Sequence, residues 1–205
     1  MLRNSLLIGC LLLVMPSAFS ENLSAVQIYS DNQLLDLIHK NKHLQQVRKD
    51  KCQLVQDIQA RAVKAKMPSY QYLWGDMLSY GVCVKKNIPL GMHYIELAAN
   101  QGLAEGLEQL GRYYQLGKFV QADLTTAIRY LKQAAALNNL KAQIRLAEIY
   151  TKGLGSPLDY PMLYSQLHHS ITDNKHTHAK IKGLLAKLAT KMPAQVVEQA
   201  KKTLY

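Results

Sequence analysis

The feature that most limits what this chain can fold into is an internal period of 36 residues. Gly75, Gly111 and Ala147 are each 36 apart, and so are Gly81, Gly117 and Gly153. Ala98-Ala99 recurs as Ala134-Ala135 and degenerates to Ser170-Ile171 one period later. Leu78, Tyr114 and Tyr150 share a register, as do Tyr94 and Tyr130. Several columns at one gap-free period mean stacked supersecondary units, none of which buries its apolar face alone. In the middle unit, Gly106, Leu107, Leu110, Tyr113 and Tyr114 recur at three- and four-residue spacing, which predicts an amphipathic helix. Gly117 is placed to end that helix in the left-handed conformation. Asp123 is placed to cap a second helix, which carries Ala127, Tyr130, Leu131, Ala134 and Ala135 on one face. Gly111 or Ala147 in a first helix, and Ala134-Ala135 in a second, let neighbouring helices approach closely. Each unit therefore reads as a helix pair, and the first pair begins near Pro68.

The flanks read as helices too. Ser30 followed by Gln33 has capping-box spacing, leading into "LLDLIHKNKHL" with Leu34, Leu37, Ile38 and Leu44 as its buried stripe. Asp50 is expected to open a further helix through Cys52, Val55, Ile58 and Val63. At the other end, "KIKGLLAKLATKM" and "PAQVVEQAKKTL" predict two closing helices, which shield a core that has no next repeat. Nothing from residue 28 onward reads as a strand-rich domain or a long linker. The expected fold is an all-α helix-pair solenoid of about three 36-residue repeats. Its expected parts are a leader (1–20), an N-terminal helical segment (21–66), the repeats (67–174) and C-terminal capping helices (175–205).

The first twenty residues, "MLRNSLLIGCLLLVMPSAFS", have an early Arg3, an apolar run from Leu6 to Met15, a break at Pro16 and small residues at Ala18 and Ser20. That is the build of a secretory signal peptide cut after Ser20. The apolar run continues past Cys10, which argues against lipidation there. At roughly ten residues it is too short to span a bilayer, which takes about 20. Export gives the formal charge of +11 its meaning. A basic exported chain meets peptidoglycan, lipid headgroups or an acidic partner, whereas nucleic acid belongs to another compartment. The lysines after Lys175 (Lys180, Lys182, Lys187, Lys191, Lys201 and Lys202) read as a solvated helix face.

Two cysteines remain after the leader, Cys52 and Cys83. An even count in an exported chain argues for a disulfide, the alternative being two separately buried thiols. No Cys-x-x-Cys spacing supports zinc or redox chemistry.

Chemistry finds little support. Ser30-Asp31-Asn32 is an S-D-N triplet, but no S-x-x-K or K-T-G accompanies it, and Ser and Asp are expected ahead of a helix as caps. No G-x-S-x-G, H-E-x-x-H or phosphate loop occurs. His168-His169 and the nearby His176 and His178 lack a completing Cys or carboxylate cluster and read as solvated. No catalytic, cofactor or metal residue is assigned. Trp74 reads as packing within or between repeats. Of the Tyr113-Tyr114 pair, Tyr114 falls in the repeated core column, so Tyr113 is the candidate protein-binding residue on the groove.

The unit "EGLEQLGRYYQLGKFVQADLTTAIRYLKQAAALNN" (105–139) resembles the Sel1-like repeat, and Pro68 to Asn174 cover three such units. Beyond the repeats, the chain is similar to the MotX family from its leader to its last helix. The residues that carry this are "YSDNQLLDLIHKNKHL" (29–44), "CQLVQDI" (52–58), "YLWGDMLSYGVCV" (72–84), "EQLGRYY" (108–114) and "GSPLDY" (155–160). The non-repeat N-terminal segment and the cysteine pair set it apart from generic Sel1 proteins. The resemblance implies a periplasmic part of the polar flagellar motor's T ring, placed at the basal body with a MotY-like partner. There it would help to hold a PomA/PomB-type stator, with PomB-like contacts and no cofactor. The other reading is a general periplasmic repeat adaptor in envelope or cell-wall regulation.

Overall fold

The chain begins with three short helices, α1 (Asp31–His39), α2 (His43–Lys49) and α3 (Val55–Val63). Three helix pairs follow: α4 (Pro68–Tyr80) with α5 (Ile88–Asn100), α6 (Ala104–Leu116) with α7 (Leu124–Ala136), and α8 (Leu140–Tyr150) with α9 (Tyr160–His168). Two more helices, α10 (Lys175–Ala189) and α11 (Ala194–Lys202), close the array. This computed structural model describes residues 27–203 and places no strand among them. The expected leader and its cleavage point after Ser20 lie outside the described residues.

The period is visible in the backbone. Gly81 and Gly117 follow α4 and α6 in the left-handed conformation (φ 68° and 64°), and their N–H groups return to Met77 O and Tyr113 O. Two residues further on, Cys83, Phe119 and Gly155 repeat a second left-handed position (φ 60°, 66° and 87°). Each of the first two loops is then tied by the same bond, Asn87 N–H to Leu78 O and Asp123 N–H to Tyr114 O, both 2.9 Å. The next helix starts from a side-chain cap: Asn87 accepts from Leu90 N, and Asp123 accepts from Thr125 N and Thr126 N. Within a pair the helices touch through glycine. A Cβ on Gly75 would lie 2.7 Å from Gly91 O, and one on Gly111 would lie 2.6 Å from Leu131 Cγ.

Helix α4 is buried from Ser69 to Ser79, because α1, α2, α3 and α5 all pack on it. An apolar cluster from Tyr29 through Val82 joins it to the N-terminal helices. A second cluster runs from Met92 to Ala200 and joins the later repeats to α10 and α11. The closing helices therefore cover the last repeat, as the sequence predicts.

Several details differ from expectation. Ser30 forms the full capping box with Gln33, but the helix it opens breaks at Lys40–Lys42, where Asn41 is left-handed (φ 53°). His43 and Val47 take the buried positions, while Leu37 and Leu44 are half-buried. Asp50 does not open α3. It ends α2, and its carboxylate accepts from Tyr29 Oη and Gln46 Nε2. Lys51 and Cys52 are left-handed (φ 52° and 60°), which delays α3 to Val55 and rotates Ala62 inward and Val63 outward. The third repeat departs most. Asp159 occupies the register of Asn87 and Asp123, yet its carboxylate takes Lys132 Nζ (2.7 Å) and Tyr150 Oη (3.2 Å) instead of capping α9. Gly153 is left-handed (φ 77°), but α8 has already ended at Tyr150, and Ser170-Ile171 falls beyond α9.

Candidate protein-binding cleft

The first helices of the three repeats carry their polar residues one turn apart, so each presents a polar row on one face. Helix α4 contributes Tyr72, Asp76 and Tyr80; α6 contributes Glu108, Gln109 and Arg112; α8 contributes Lys141 and Arg145. The N-terminal segment folds back over these rows. His43 Nε2 meets Asp76 Oδ2 at 2.8 Å, with both residues buried, and His39 Nε2 meets Glu105 Oε1 at 2.6 Å. Lys141 Nζ donates to His39 O at 2.7 Å. The face expected to be an open groove is thus partly roofed by the chain itself. Two clefts remain, of about 370 Å³ and 460 Å³, and they share Asn41, Tyr72, Glu108 and Lys141.

Beneath the roof lies a continuous polar network. A carboxylate only accepts, so the His43–Asp76 bond places the proton on Nε2. Asp76 Oδ1 also receives Gln109 Nε2 (3.3 Å), which donates to Tyr113 Oη at 2.6 Å. Tyr113 Oη lies 3.1 Å from Tyr80 Oη and 3.4 Å from Asp76 Oδ1. Burial pushes the Tyr113 phenol well above its usual range, and the Asp76 charge adds to the shift. Burial would raise the Tyr80 phenol as well, but hydrogen bonds from Lys118, Tyr113 and Arg112 outweigh it and bring it below the ordinary value. The Arg112 guanidinium stacks 4.7 Å over the Tyr113 ring and donates to Gln109 Oε1. Arg145 donates to Glu108 Oε1 and Gln115 Oε1.

Tyr113 is therefore not a groove-facing contact residue. It is fully buried, whereas Tyr114 is half-buried and stacks on Tyr130. The column that points inward is Met77, Tyr113 and Ile149, all buried and also 36 apart. Gly75, Gly111, Ala147, Ala134 and Ala135 sit in helix contacts away from the cleft, and Gly81, Gly117 and Gly153 sit in loops. Trp74 lies in the N-terminal apolar cluster. Cys52 and Cys83 form a disulfide with Cα atoms 5.5 Å apart, tying the α2–α3 link to the α4–α5 link. His168 and His169 pack edge to face on one another. Among the described residues, no group of three or more His, Cys, Asp or Glu is placed to hold a metal, and no helix is long and apolar enough to cross a membrane.

His43, Asp76, Arg112, Lys141 and Arg145 were not legible as a site from the chain alone. The available signal was polar residues at positions 72, 76, 108 and 112, two repeat columns within helices otherwise rich in core residues.

The family model that matches the chain agrees with this architecture. The Sel1 repeat family matches residues 68–103, 104–139 and 140–162, stopping short where the third unit departs from the pattern. A solved Sel1 repeat protein from Oxalobacter formigenes is 20% identical, with a TM-score of 0.48 over 73% of this chain and 98% of that one. A putative ERAD-associated E3 ubiquitin-protein ligase component of Schizosaccharomyces pombe is 27% identical over 65% of this chain but only 19% of its own length. The sodium-type polar flagellar protein MotX of Vibrio parahaemolyticus is 46% identical over 93% of both chains. That likeness takes in the N-terminal segment and closing helices as well as the repeats, and the chain belongs to the MotX family of Sel1-repeat proteins.

Proposed function

We propose that this protein is a periplasmic structural component of the polar flagellar motor, without catalytic activity of its own. The observation that carries the reading is 46% identity over 93% of both chains to a protein named as a polar flagellar MotX. In this role the chain joins a MotY-like protein in the T ring below the basal body and holds a PomA/PomB-type stator at the rotor through a PomB-like subunit. The molecule suits such a role. Its disulfide belongs to an oxidising compartment. Its polar cleft offers paired charges and hydrogen-bonding groups to another protein, with no nucleophile and base set against each other.

The test is a deletion strain carrying a fluorescent stator subunit. Swimming and polar stator foci are expected to disappear while the filament still forms, and foci of this protein are expected to require the MotY-like partner. Stators that still gather at the pole and drive swimming would leave only the general periplasmic adaptor.

A further inference from the structure

We infer that the cleft between α2, α4, α6 and α8 receives an acidic side chain from an extended segment of a partner protein, held between Arg112 and Lys141. The inference rests on the adaptor reading for there being a protein partner, but its residues are fixed by the cleft alone.

Lys141 is the first observation. The residue is exposed, though part of its side chain is covered, and its hydrogen bonds go to neutral acceptors, His39 O at 2.7 Å and Asn41 Oδ1 at 3.5 Å. Burial drives its pKa down, and the charges of Glu108 and Glu105 only oppose this from a distance. Those two carboxylates are engaged elsewhere, Glu105 with His39 Nε2 and Glu108 with Arg145 Nε. Arg112 is the second. Burial would lower its pKa, but a hydrogen bond to the Tyr80 phenol and the nearby Glu108 charge outweigh that and raise it. Its other neighbours are the neutral Gln109 Oε1 and the Tyr113 ring, and no ion pair to a carboxylate is formed among the described residues. The deep carboxylate of the cleft, Asp76, is occupied by His43 and Gln109.

His43 completes the polar wall of the cleft beside these cations. It is 5% exposed and lines the cleft, its Nε2 is bound to Asp76, and its Nδ1 has no hydrogen-bond partner. Two cations that line one cleft and form no ion pair of their own describe a receptor for a carboxylate. A guanidinium fork beside an ammonium suits that group, since charge-assisted bonds to a carboxylate are stronger than neutral ones. The occupant is a segment of chain rather than a free anion because the 370 Å³ cleft runs on, through Asn41, Tyr72, Glu108 and Lys141, into the 460 Å³ cleft beside it. The polar lining disfavours the apolar face of an amphipathic helix.

The test measures binding of the purified mature protein to the purified periplasmic parts of a MotY-like and a PomB-like protein. Wild type is compared with Arg112→Gln, Lys141→Gln and, as a control on the exposed basic face of α10, Lys182→Gln. Thermal melts verify that each variant is folded, and Arg112→Lys backs up Arg112→Gln if the latter melts early. Binding to one partner is expected to weaken about tenfold or more in each cleft variant and to stay unchanged in Lys182→Gln. Replacing single Asp or Glu residues of that partner by Asn or Gln should reproduce the loss, whereas a loss seen only on removing the partner's C-terminal carboxylate would move the assignment from a side chain to a chain terminus and overturn it as stated. Tight binding that ignores Arg112→Gln and Lys141→Gln overturns the cleft assignment and leaves the adaptor reading standing. No binding to either partner overturns the adaptor reading, and this assignment with it.

Discussion

Asp76 is 2% exposed on a helix buried along nearly its whole length, and every hydrogen bond to its carboxylate comes from another polar side chain. Its carboxylate is tolerable only because His43 and Gln109 replace water around it. His43→Ala should therefore lower stability by about 1–3 kcal/mol or more, the cost of leaving a buried acceptor without its partner. Urea unfolding of the purified protein measures this, and a loss under 1 kcal/mol would mean that water enters the site. Tyr113→Phe removes one hydroxyl from the same network and should cost about 1–3 kcal/mol. Because Tyr113 has no exposed surface, partner binding by the folded variant should be unchanged. Weaker binding at full stability would return Tyr113 to the contact surface.

Helices in this molecule meet through absent side chains, and the two best-placed glycines make a graded prediction. A Cβ on Gly75 would press on the backbone, at Gly91 O (2.7 Å) and Ile95 N (3.0 Å). A Cβ on Gly111 would press first on Leu131 Cγ and Cδ2, atoms that can move by a small rotation. Gly75→Ala should thus reduce the melting temperature more than Gly111→Ala, and Gly111→Leu should cost roughly 1–3 kcal/mol or more through overpacking. Equal melting temperatures for all three variants and wild type would contradict the helix contacts described. Between elements, the disulfide joins two links that each need a left-handed cysteine, Cys52 and Cys83. Cys52→Ser should lower stability by about 2–5 kcal/mol and reduce the amount of protein that accumulates. Non-reducing mass spectrometry of the protein purified without reductant from its native host should show one internal link and no alkylatable thiol.

At the scale of the whole molecule, the N-terminal helices lie across the first helices of all three repeats, so they couple units that a bare solenoid would leave to nearest-neighbour contact. Lys141→Gln removes the bond from the last repeat to His39 O while leaving α4 untouched. Amide exchange in residues 31–50 of that variant should therefore quicken, with α4 and α5 unchanged. Uniform protection across both regions would show that the N-terminal segment is held by α4 alone.

Most of the fold was legible in the chain because its determinants are local. Left-handed turns at Gly81 and Gly117, the caps at Ser30 and Asp123, and the three- and four-residue spacings of Leu107 with Leu110 and of Ala127, Leu131 and Ala135 act within a few residues. A fixed period then repeats whatever they specify. The limits of that reasoning show at Asp50, expected from the sequence to open a helix, whose carboxylate is claimed by Tyr29 and Gln46, and at Asp159, which shares the register of Asn87 and Asp123 but is claimed by Lys132 and Tyr150. Only tertiary structure decided that Tyr113 faces inward and Tyr114 does not, since adjacent helical residues differ by about 100° and packing chooses the rotation. The cleft is a tertiary product in the same sense. Its charges come from four helices, and its roof is held by a bond between residues 102 positions apart, Lys141 and His39, a separation over which no local pattern carries information.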